Sequence, residues 1–205
     1  GAAARFCWPA GITTDGTNLF VTDYGTTIRK IVISSGAVTT IAGSAGVFGS
    51  TDGIGIAARF AELYEITTDG TNLFVADGLN NTIRKIVASS GVVTTIAGSA
   101  GVLGSTDGTG SAATFSKPYG IMTDGTNLFV SDDGTTIRKI VISSGAVTTI
   151  AGYAGLHGFV DATGATARFT IPAGITTDGT NLFVADRDNN TIRKIPLLSG
   201  LDLMY

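Results

Sequence analysis

The sequence is poor in the residue types on which many enzymes and metal sites depend. It contains one cysteine, Cys7, and one histidine, His157, so neither an internal disulfide nor a multi-histidine metal site can form within the chain. Charged residues make up 14% of the chain, against about 25% in an average soluble domain, and the net charge is −3. Such a charge gives no positive field that attracts nucleic acid. We therefore expect no disulfide, no metal or other cofactor, and no nucleic-acid partner.

Long apolar runs are also missing. No stretch reaches the ~18 consecutive apolar residues of a transmembrane helix, so membrane insertion is not expected. What the chain has in abundance is glycine, with 29 of 205 residues, about twice the usual share of ~7%. With 43% hydrophobic residues, the chain can bury a core while it turns often. These proportions favour a compact domain built from short elements.

Two short strings recur four times along the chain. Thr-Asp-Gly-Thr-Asn-Leu-Phe-Val begins at Thr14, Thr68, Thr123 and Thr177. Ile-Arg-Lys-Ile begins at Ile28, Ile83, Ile137 and Ile192. Taken two units at a time, both strings return after 109 residues, as from Asp15 to Asp124. The chain is therefore a four-unit repeat in which unit 1 is paired with unit 3 and unit 2 with unit 4.

Within each unit the apolar residues alternate with a period of about two, which indicates short antiparallel strands. In unit 1 the four expected strands are strand A (Gly11–Thr14), strand B (Leu19–Asp23), strand C (Thr27–Ile33) and strand D (Ala37–Ala42). Tight turns at Asp15–Asn18 and Ser34–Gly36 join A to B and C to D. Four such strands make one blade of a β-propeller. A β-solenoid is the weaker alternative because its coils lack tight antiparallel hairpins.

The predicted fold is all-β, a β-propeller of four four-stranded antiparallel blades in one domain over residues 1–205. The expected blades cover residues 7–43, 61–98, 116–152 and 170–205. In the last blade, Leu201–Tyr205 replaces the Val-Thr-Thr-Ile-Ala-Gly run and is expected to form a divergent strand D. Four blades can close as a small ring, pair with another chain or form part of a larger propeller, and the sequence leaves these alternatives open.

The repeated motifs resemble the NHL-repeat family of β-propellers, and the resemblance covers essentially the whole chain. It is carried by the segment Gly11–Val21, by the aspartate of the following Val-x-Asp, and by Asn80–Ile86. The resemblance implies a propeller, commonly of six blades, so four blades depart from the family pattern. Family members range from protein or RNA scaffolds to a metal-dependent lyase, and the resemblance therefore implies no single activity.

Antiparallel strands place the connections of each blade on two opposite faces. The A-to-B turn is Asp-Gly-Thr-Asn in every unit, and the C-to-D turn is Ser-Ser-Gly in the first three; we call their side the turn face. The D-to-A connections are long and the B-to-C hairpins vary, as in Gly78–Asn81 against Arg187–Asn190; we call their side the loop face. Variable loops on rigid strands are the expected location of binding residues, so the loop face is predicted to carry them.

Charges that recur in every unit are predicted to be structural. Four Arg-Lys pairs contain eight of the 13 basic residues, and each strand B ends on an aspartate, as at Asp23. We expect each such aspartate to pair with a neighbouring arginine. Residues that occur in only one unit are better candidates for a binding site.

Seven singular residues on the predicted loop face are the candidate binding residues: Trp8, Tyr64, Glu65, Lys117, Tyr119, Arg187 and Asp188. The aromatic residues precede strand A, where they can hold a peptide or sugar or pack against an adjacent blade. Glu65 replaces a glycine at the start of the innermost strand, where its carboxylate can face the central opening or solvent. His157 is expected to be an exposed imidazole and Cys7 a small buried filler.

The leading functional hypothesis is a non-enzymatic interaction scaffold that binds a protein or peptide, or alternatively a carbohydrate, through the loop face. The Thr/Gly/Ser-rich, Lys-poor composition favours an extracellular or cell-surface location. A structural repeat protein that assembles as a homo-oligomer, natural or engineered, is the alternative, because near-identical blades have nearly interchangeable side faces. A calcium-dependent lactonase-like enzyme is the weakest candidate, because it needs converging carboxylates and Glu65 stands alone. No catalytic residue is assigned, since one histidine and one cysteine compose no nucleophile and base pair.

Overall fold

The computed structural model describes residues 3–23, 25–132 and 134–197. Within these residues the chain is almost entirely β, with seventeen strands and three short 3-10 helices. The strands are β1 (Ile12–Thr14), β2 (Asn18–Asp23), β3 (Thr27–Val32), β4 (Ala37–Gly43), β5 (Gly53–Ile54), β6 (Leu63–Thr68), β7 (Asn72–Asp77), β8 (Thr82–Val87), β9 (Val92–Gly98), β10 (Gly108–Thr109), β11 (Ile121–Thr123), β12 (Asn127–Asp132), β13 (Thr136–Val141), β14 (Ala146–Gly152), β15 (Pro172–Thr177), β16 (Asn181–Asp186) and β17 (Thr191–Pro196). The 3-10 helices are Gly55–Ala57, Gly110–Ala112 and Arg187–Asn189. None of them is long or apolar enough to cross a membrane.

Four antiparallel sheets follow one another along the chain and are arranged as a four-bladed β-propeller, which confirms the predicted fold class. Blade 1 has the strand order β1-β2-β3-β4, and β6 to β9 of blade 2 and β11 to β14 of blade 3 repeat it. Blade 4 has β15, β16 and β17 among the described residues. The predicted strand at Leu201–Tyr205, and with it the end of the predicted blade 170–205, lies outside the described residues.

The long D-to-A connections contain structure that the sequence pattern did not reveal. β5 pairs with β9 and β10 pairs with β14, so each adds a two-residue fifth strand to the outer edge of blades 2 and 3. A 3-10 helix follows each of these strands. The chain that leaves blade 1 therefore folds against the outer strand of blade 2 before it enters that blade through β6.

Each A-to-B turn is closed by its aspartate. In blade 2, Asp69 Oδ1 accepts hydrogen bonds from the backbone N–H groups of Thr71 and Asn72 at 2.8 and 2.6 Å. The Asn72 side-chain amide donates to Asp69 Oδ2 at 2.9 Å. Gly70 has φ of +89°, a left-handed conformation that glycine adopts without strain. The equivalent aspartates of the other blades occupy the same kind of turn, as predicted: Asp15, Asp124 and Asp178.

Apolar side chains from both faces of each sheet form the core between adjacent blades. Three buried clusters join blade 1 to blade 2, blade 2 to blade 3 and blade 3 to blade 4. Successive residues of a strand point to opposite faces, and Phe74 and Ala76 of β7 pack toward blade 3. Leu73 and Val75 pack toward blade 1. We call the side of a blade that faces the next blade its following side and the other its preceding side.

The outer sides of blades 1 and 4 are exposed. Ile192, at a following-side position of blade 4, is 71% exposed, whereas its equivalent Ile83 is 0% exposed. Ile12, at a preceding-side position of blade 1, is 59% exposed, whereas its equivalent Ile66 is 3% exposed. Within the described ranges, no core cluster joins blade 4 to blade 1. Two apolar side faces therefore stay open at the ends of the four-blade array.

A buried ion pair links the strands of each blade to the connection that precedes it. Arg84 Nη1 lies 2.7 Å from Asp77, and Arg84 Nη2 lies 2.7 Å from Asp52 of the connection. The guanidinium also lies 5.0 Å from the ring centroid of Phe60. The predicted pairing of strand-B aspartates with arginines is present in every blade: Asp23 with Arg29, Asp77 with Arg84, Asp132 with Arg138 and Asp186 with Arg193. These recurring charges are therefore structural.

Candidate functional site

Four equivalent residues on the loop face are held in a left-handed backbone conformation. Trp8, Glu62, Lys117 and Ile171 lie at the start of their blades and have φ of 53°, 58°, 58° and 54°. This conformation costs a residue with a side chain roughly 1–2 kcal/mol, and backbone strain collects at functional sites. The four side chains are an aromatic, an acid, a base and an aliphatic group. One strained position therefore presents different chemistry in each blade.

Two tyrosines from adjacent blades form a pair beside this position. The ring centroids of Tyr64 and Tyr119 are 4.4 Å apart, and the rings are tilted by 31°. Lys117 Nζ lies 5.6 Å from the centroid of the Tyr64 ring and 3.6 Å from a carboxylate oxygen of Glu62. Aromatic and cationic groups in contact can bind apolar and charged groups together. Blades 2 and 3 jointly build this cluster.

Tyr64 and Lys117 both have a raised pKa in this cluster. Burial raises the pKa of Tyr64, and a hydrogen bond with Lys117 opposes this effect without cancelling it. The hydrogen bond with Tyr64 raises the pKa of Lys117 against a smaller effect of desolvation. At neutral pH the cluster therefore contains a neutral phenol and a charged ammonium group, and the ammonium is paired with Glu62.

A cavity of about 670 Å³, the large groove, runs across blades 2, 3 and 4 at this cluster. Its walls include Tyr64, Lys117, Tyr119 and Arg187, which are four of the seven predicted binding residues. Arg187 Nε lies 3.0 Å from Asp188 Oδ1, so a fifth predicted residue lies at the rim. The structure therefore brings most of the predicted residues to one cavity.

A second cavity of about 440 Å³, the small groove, lies between blades 1 and 2. Trp8, Phe48 and Leu79 line it, and these side chains are 85%, 61% and 56% exposed. Tyr64 lines both grooves, so their apolar surface is continuous. Contiguous exposed apolar surface of this kind is typical of a binding site.

Glu65 stands apart from the other predicted residues. It is half-buried and is not among the residues that line the two grooves, and its backbone N–H donates to the Tyr119 carbonyl oxygen at 3.4 Å. Burial raises the pKa of its carboxyl group. In the part of the chain that the structure describes, no three His, Cys, Asp or Glu side chains are placed to hold a metal ion.

Several groove residues were not predicted from the sequence: Glu62, Phe48, Leu79 and Leu103. The usable signal for the last three was a large apolar side chain in the middle of an exposed loop. His157 is exposed, as expected, and it also lines the large groove. Cys7 was predicted to be buried, and this was wrong: it is exposed at the start of blade 1, whose preceding side no core cluster of the described residues covers, whereas its equivalent Ala61 in blade 2 is buried.

No protein-family model matches the chain. Among curated proteins, NHL repeat-containing protein 2 of Homo sapiens is 29% identical over 153 residues, which are 67% of this chain and 21% of that protein. The protein of the same name from Bos taurus matches to the same extent. The chain thus spans about one fifth of the length of the curated relatives it matches.

Solved structures share the fold. A structural genomics protein of unknown function from Bacteroides thetaiotaomicron matches 92% of this chain and 47% of its own, with a TM-score of 0.74 and 23% identity. An auxiliary nutrient binding protein from Bacteroides ovatus matches 91% of this chain and 46% of its own, with a TM-score of 0.68 and 20% identity. At these identities the likeness shows the fold alone.

Proposed function

We propose, on the premise that the chain is an NHL-repeat β-propeller with four near-identical blades, that it is a non-enzymatic binding scaffold whose loop face takes up a protein or peptide segment. The binding surface in this proposal comprises the large groove and the small groove, joined at Tyr64. The blades act as framework, and the singular side chains of the loop face select the partner.

The observation that carries the proposal is the concentration of exposed apolar side chains at these grooves. Trp8, Leu79 and Leu103 are largely exposed, and the Tyr64 and Tyr119 rings lie between them. A partner that covers apolar surface removes it from water, which favours binding. The left-handed backbone recurs in all four blades, whereas the exposed indole at this position occurs only at Trp8.

The polar groups of the large groove favour a peptide as the partner. Lys117 with Glu62 and Arg187 with Asp188 are exposed ion pairs, and each offers one charge of either sign. A peptide presents both donors and acceptors that match such pairs. Exposed ion pairs contribute little affinity, so apolar contacts would dominate binding. We therefore expect a peptide segment with spaced large apolar side chains.

The polar side chains of the loop face lie far apart, and this supports a non-enzymatic role. Catalysis needs different groups that converge on one point, whereas the polar side chains of the loop face are spread over three blades. The Bacteroides ovatus nutrient binding protein offers a parallel for a binding role on this fold, and its support extends no further than the fold.

Selection of a random peptide library displayed on phage tests the proposal. We expect enriched peptides to contain large apolar residues and to lose affinity by about tenfold or more in Trp8→Ala and in Tyr119→Ala, as for central groups of a binding surface. Thr126→Ala is the matched control, because Thr126 is exposed in an A-to-B turn on the opposite face. Its affinity should stay unchanged.

Three kinds of result would contradict different parts of the proposal. Failure to enrich any peptide, or an equal loss of affinity in Thr126→Ala, would contradict the proposed surface. Binding of a glycan from an array, dependent on Trp8 and Tyr119, would replace the peptide by a carbohydrate. Calcium-dependent lactone hydrolysis that is lost in Glu65→Gln would overturn the non-enzymatic assignment.

A further inference from the structure

We propose that two copies of this chain join end to end, blade 4 of each copy against blade 1 of the other, in a two-fold ring of eight blades. The contact would reproduce the junction that already exists between blades 2 and 3. This inference concerns the side faces of the array and does not depend on what the loop face binds.

The junction between blades 2 and 3 supplies the template. On the following side of blade 2, the packed residues are Phe74, Ala76, Ile83 and Ala97, all 0% exposed. On the preceding side of blade 3, the packed residues are Ile121, Leu128, Val130, Ile140 and Val147, all buried. Phe115, from the connection between these blades, is buried in the same cluster.

Both open ends of the chain carry the residue types of this template, because the sequence repeats after 109 residues. On blade 4, the positions of Phe74, Ala76 and Ile83 are occupied by Phe183, Ala185 and Ile192, and a counterpart of Ala97 is not among the described residues. On blade 1, the five preceding-side positions are occupied by Ile12, Leu19, Val21, Ile31 and Val38. These eight residue types are the same as at the equivalent template positions, so this part of the two end faces matches in side-chain size and shape.

The end faces differ from the template in exposure at several positions, although Val21 of blade 1 is buried like its equivalent Val130. Ile12 is 59% exposed, whereas its template equivalent Ile121 is 5% exposed. Ile33 at the same end is exposed, whereas its equivalent Ile142 packs against the buried cluster. At the other end Ile192 is exposed, as described above. Equivalent apolar side chains are therefore buried at the junction between blades 2 and 3 but exposed at the ends of the array. Exposed apolar surface of this kind is typical of a protein–protein contact.

Blade 1 also has the phenylalanine that the connection contributes to the junction between blades 2 and 3, together with its arginine contact. Phe6 occupies the position of Phe115, and the Arg29 guanidinium lies 5.1 Å from the Phe6 ring centroid, as Arg138 lies 5.1 Å from that of Phe115. Phe6 is 37% exposed, whereas Phe115 is 0% exposed. The half of the junction that blade 1 contributes is therefore already assembled, and it lacks only the side face of another blade.

A second copy is the occupant that these observations favour. Among the described residues, blade 4 of the same chain forms no core cluster with blade 1, so these residues do not supply the covering face themselves. The face whose match can be followed residue by residue is blade 4 of another copy. Contacts between unlike faces either close into a ring or grow into filaments, and two four-blade arrays form the smallest closed ring. Further blades of the same polypeptide are the competing occupant.

The mass of the 205-residue chain in solution, measured by light scattering and native mass spectrometry, tests the ring. We expect a species of twice 20.8 kDa. Ile192→Lys and Ile12→Lys each place a charge in the contact and should give monomers with an unchanged circular dichroism spectrum. Ile54→Lys is the matched control, because Ile54 is exposed at the outer edge of blade 2, and this variant should stay dimeric.

Mixing the two monomeric variants tests the head-to-tail geometry. Ile12→Lys keeps an intact blade 4 face and Ile192→Lys keeps an intact blade 1 face, so the mixture should form a heterodimer through one junction. A monomeric wild-type chain, or a dimer that survives both substitutions, would overturn the proposal. Sensitivity to only one substitution, or no heterodimer in the mixture, would overturn the contact between unlike faces. A ladder of larger assemblies would overturn the closed ring.

Discussion

Asp77 and Arg84 form an ion pair of 2.7 Å in which neither side chain is exposed. The backbone N–H of Ala61 donates to Asp77 at 2.8 Å, and Arg84 donates to the Arg59 carbonyl oxygen at 2.9 Å. These bonds connect β7 and β8 with the connection from blade 1. When Asp77 is removed, Arg84 stays buried with the half-exposed Asp52 as its remaining ion-pair partner, and the Ala61 N–H loses its acceptor, which is strongly destabilising.

Asp77→Ala should therefore lower the free energy of unfolding by about 3–5 kcal/mol. Asp52→Ala is the matched control, because Asp52 also pairs with Arg84 but is about half exposed, and its loss should cost about 1–2 kcal/mol. Urea denaturation measures both variants. Equal losses would contradict the role of burial, and a loss of peptide affinity at unchanged stability would make Asp77 a binding residue.

Gly98 and Gly101 form a matched pair of left-handed glycines, with φ of +91° and +79°. Alanine at either position introduces strain of roughly 1–2 kcal/mol. A Cβ at Gly98 would also clash with the Asn81 carbonyl oxygen, whereas a Cβ at Gly101 would have nothing within 4 Å. We expect Gly98→Ala to lower the free energy of unfolding by about 1–3 kcal/mol more than Gly101→Ala. Similar losses in urea denaturation would show that the end of β9 can shift.

The turn aspartates should make the fold sensitive to acid. The side-chain amide of Asn18 and its backbone N–H hold the pKa of Asp15 below its ordinary value, and Asn181 does the same for Asp178. A carboxyl group with a lowered folded pKa stabilises the fold above the unfolded pKa of about 3.9 and loses that contribution as the pH falls through the folded pKa. Stability should therefore decline below about pH 4.

Asp15→Asn tests this pH dependence, because the amide oxygen can still accept the two backbone hydrogen bonds of the turn and the side chain does not titrate. We expect the fall in melting temperature from about pH 7 to about pH 2.5 to be smaller in Asp15→Asn than in the wild type. Thr17→Ala, in the same turn, removes no titratable group and should keep the full fall. An equal fall in all three proteins would contradict a role for Asp15 in acid sensitivity.

Glu65 should have the opposite pH dependence. Burial raises the pKa of its carboxyl group, so the charged form is disfavoured by folding. Its contribution to stability is fully present below the unfolded pKa of about 4.3 and is lost as the pH rises through the folded pKa. Glu65→Gln should therefore raise the melting temperature at about pH 7 and lose this advantage below about pH 4. Glu62→Gln is the control and should show no gain at neutral pH; a lower melting temperature for Glu65→Gln would contradict the prediction.

Trp8→Gly separates backbone strain from recognition. Glycine removes the left-handed strain of roughly 1–2 kcal/mol, partly offset by about 0.4–1 kcal/mol from the greater freedom of the unfolded chain. We expect the free energy of unfolding to stay unchanged or rise by up to about 1 kcal/mol, while affinity for the selected peptides falls. Trp8→Ala keeps the strain and should be less stable than Trp8→Gly. A marked loss of stability in Trp8→Gly would identify Trp8 as a packing residue.

The blades could be predicted from the sequence because a short strand and its turn depend on neighbouring residues. Strand B of the first unit was predicted at Leu19–Asp23 and lies at Asn18–Asp23. β5 escaped prediction because a strand of two residues depends on a distant partner, and Gly53 pairs with Val93. The exposure of the two end faces could not be predicted from the sequence either, since the sequence around the exposed Ile192 is the same as around the buried Ile83.

The candidate site could be predicted in part. Tyr64 and Tyr119 were identified as aromatic residues that precede strand A, but their ring separation of 4.4 Å depends on how two blades pack. Glu62 was missed because a charged residue in a loop carries no signal by itself. Its left-handed backbone, shared with Lys117, becomes visible only in the structure. That these residues bind a partner stays a prediction.

The left-handed position at the start of each blade has a consequence for how specificity can change over time. Trp8, Glu62, Lys117 and Ile171 occupy one backbone geometry, and the framework around them recurs from blade to blade. A substitution there alters one point on the loop face without a change in the strands below it. If the loop face binds a partner as proposed, duplication of a blade would add one variable point on an unchanged support, and the choice of partner would change by one residue at a time.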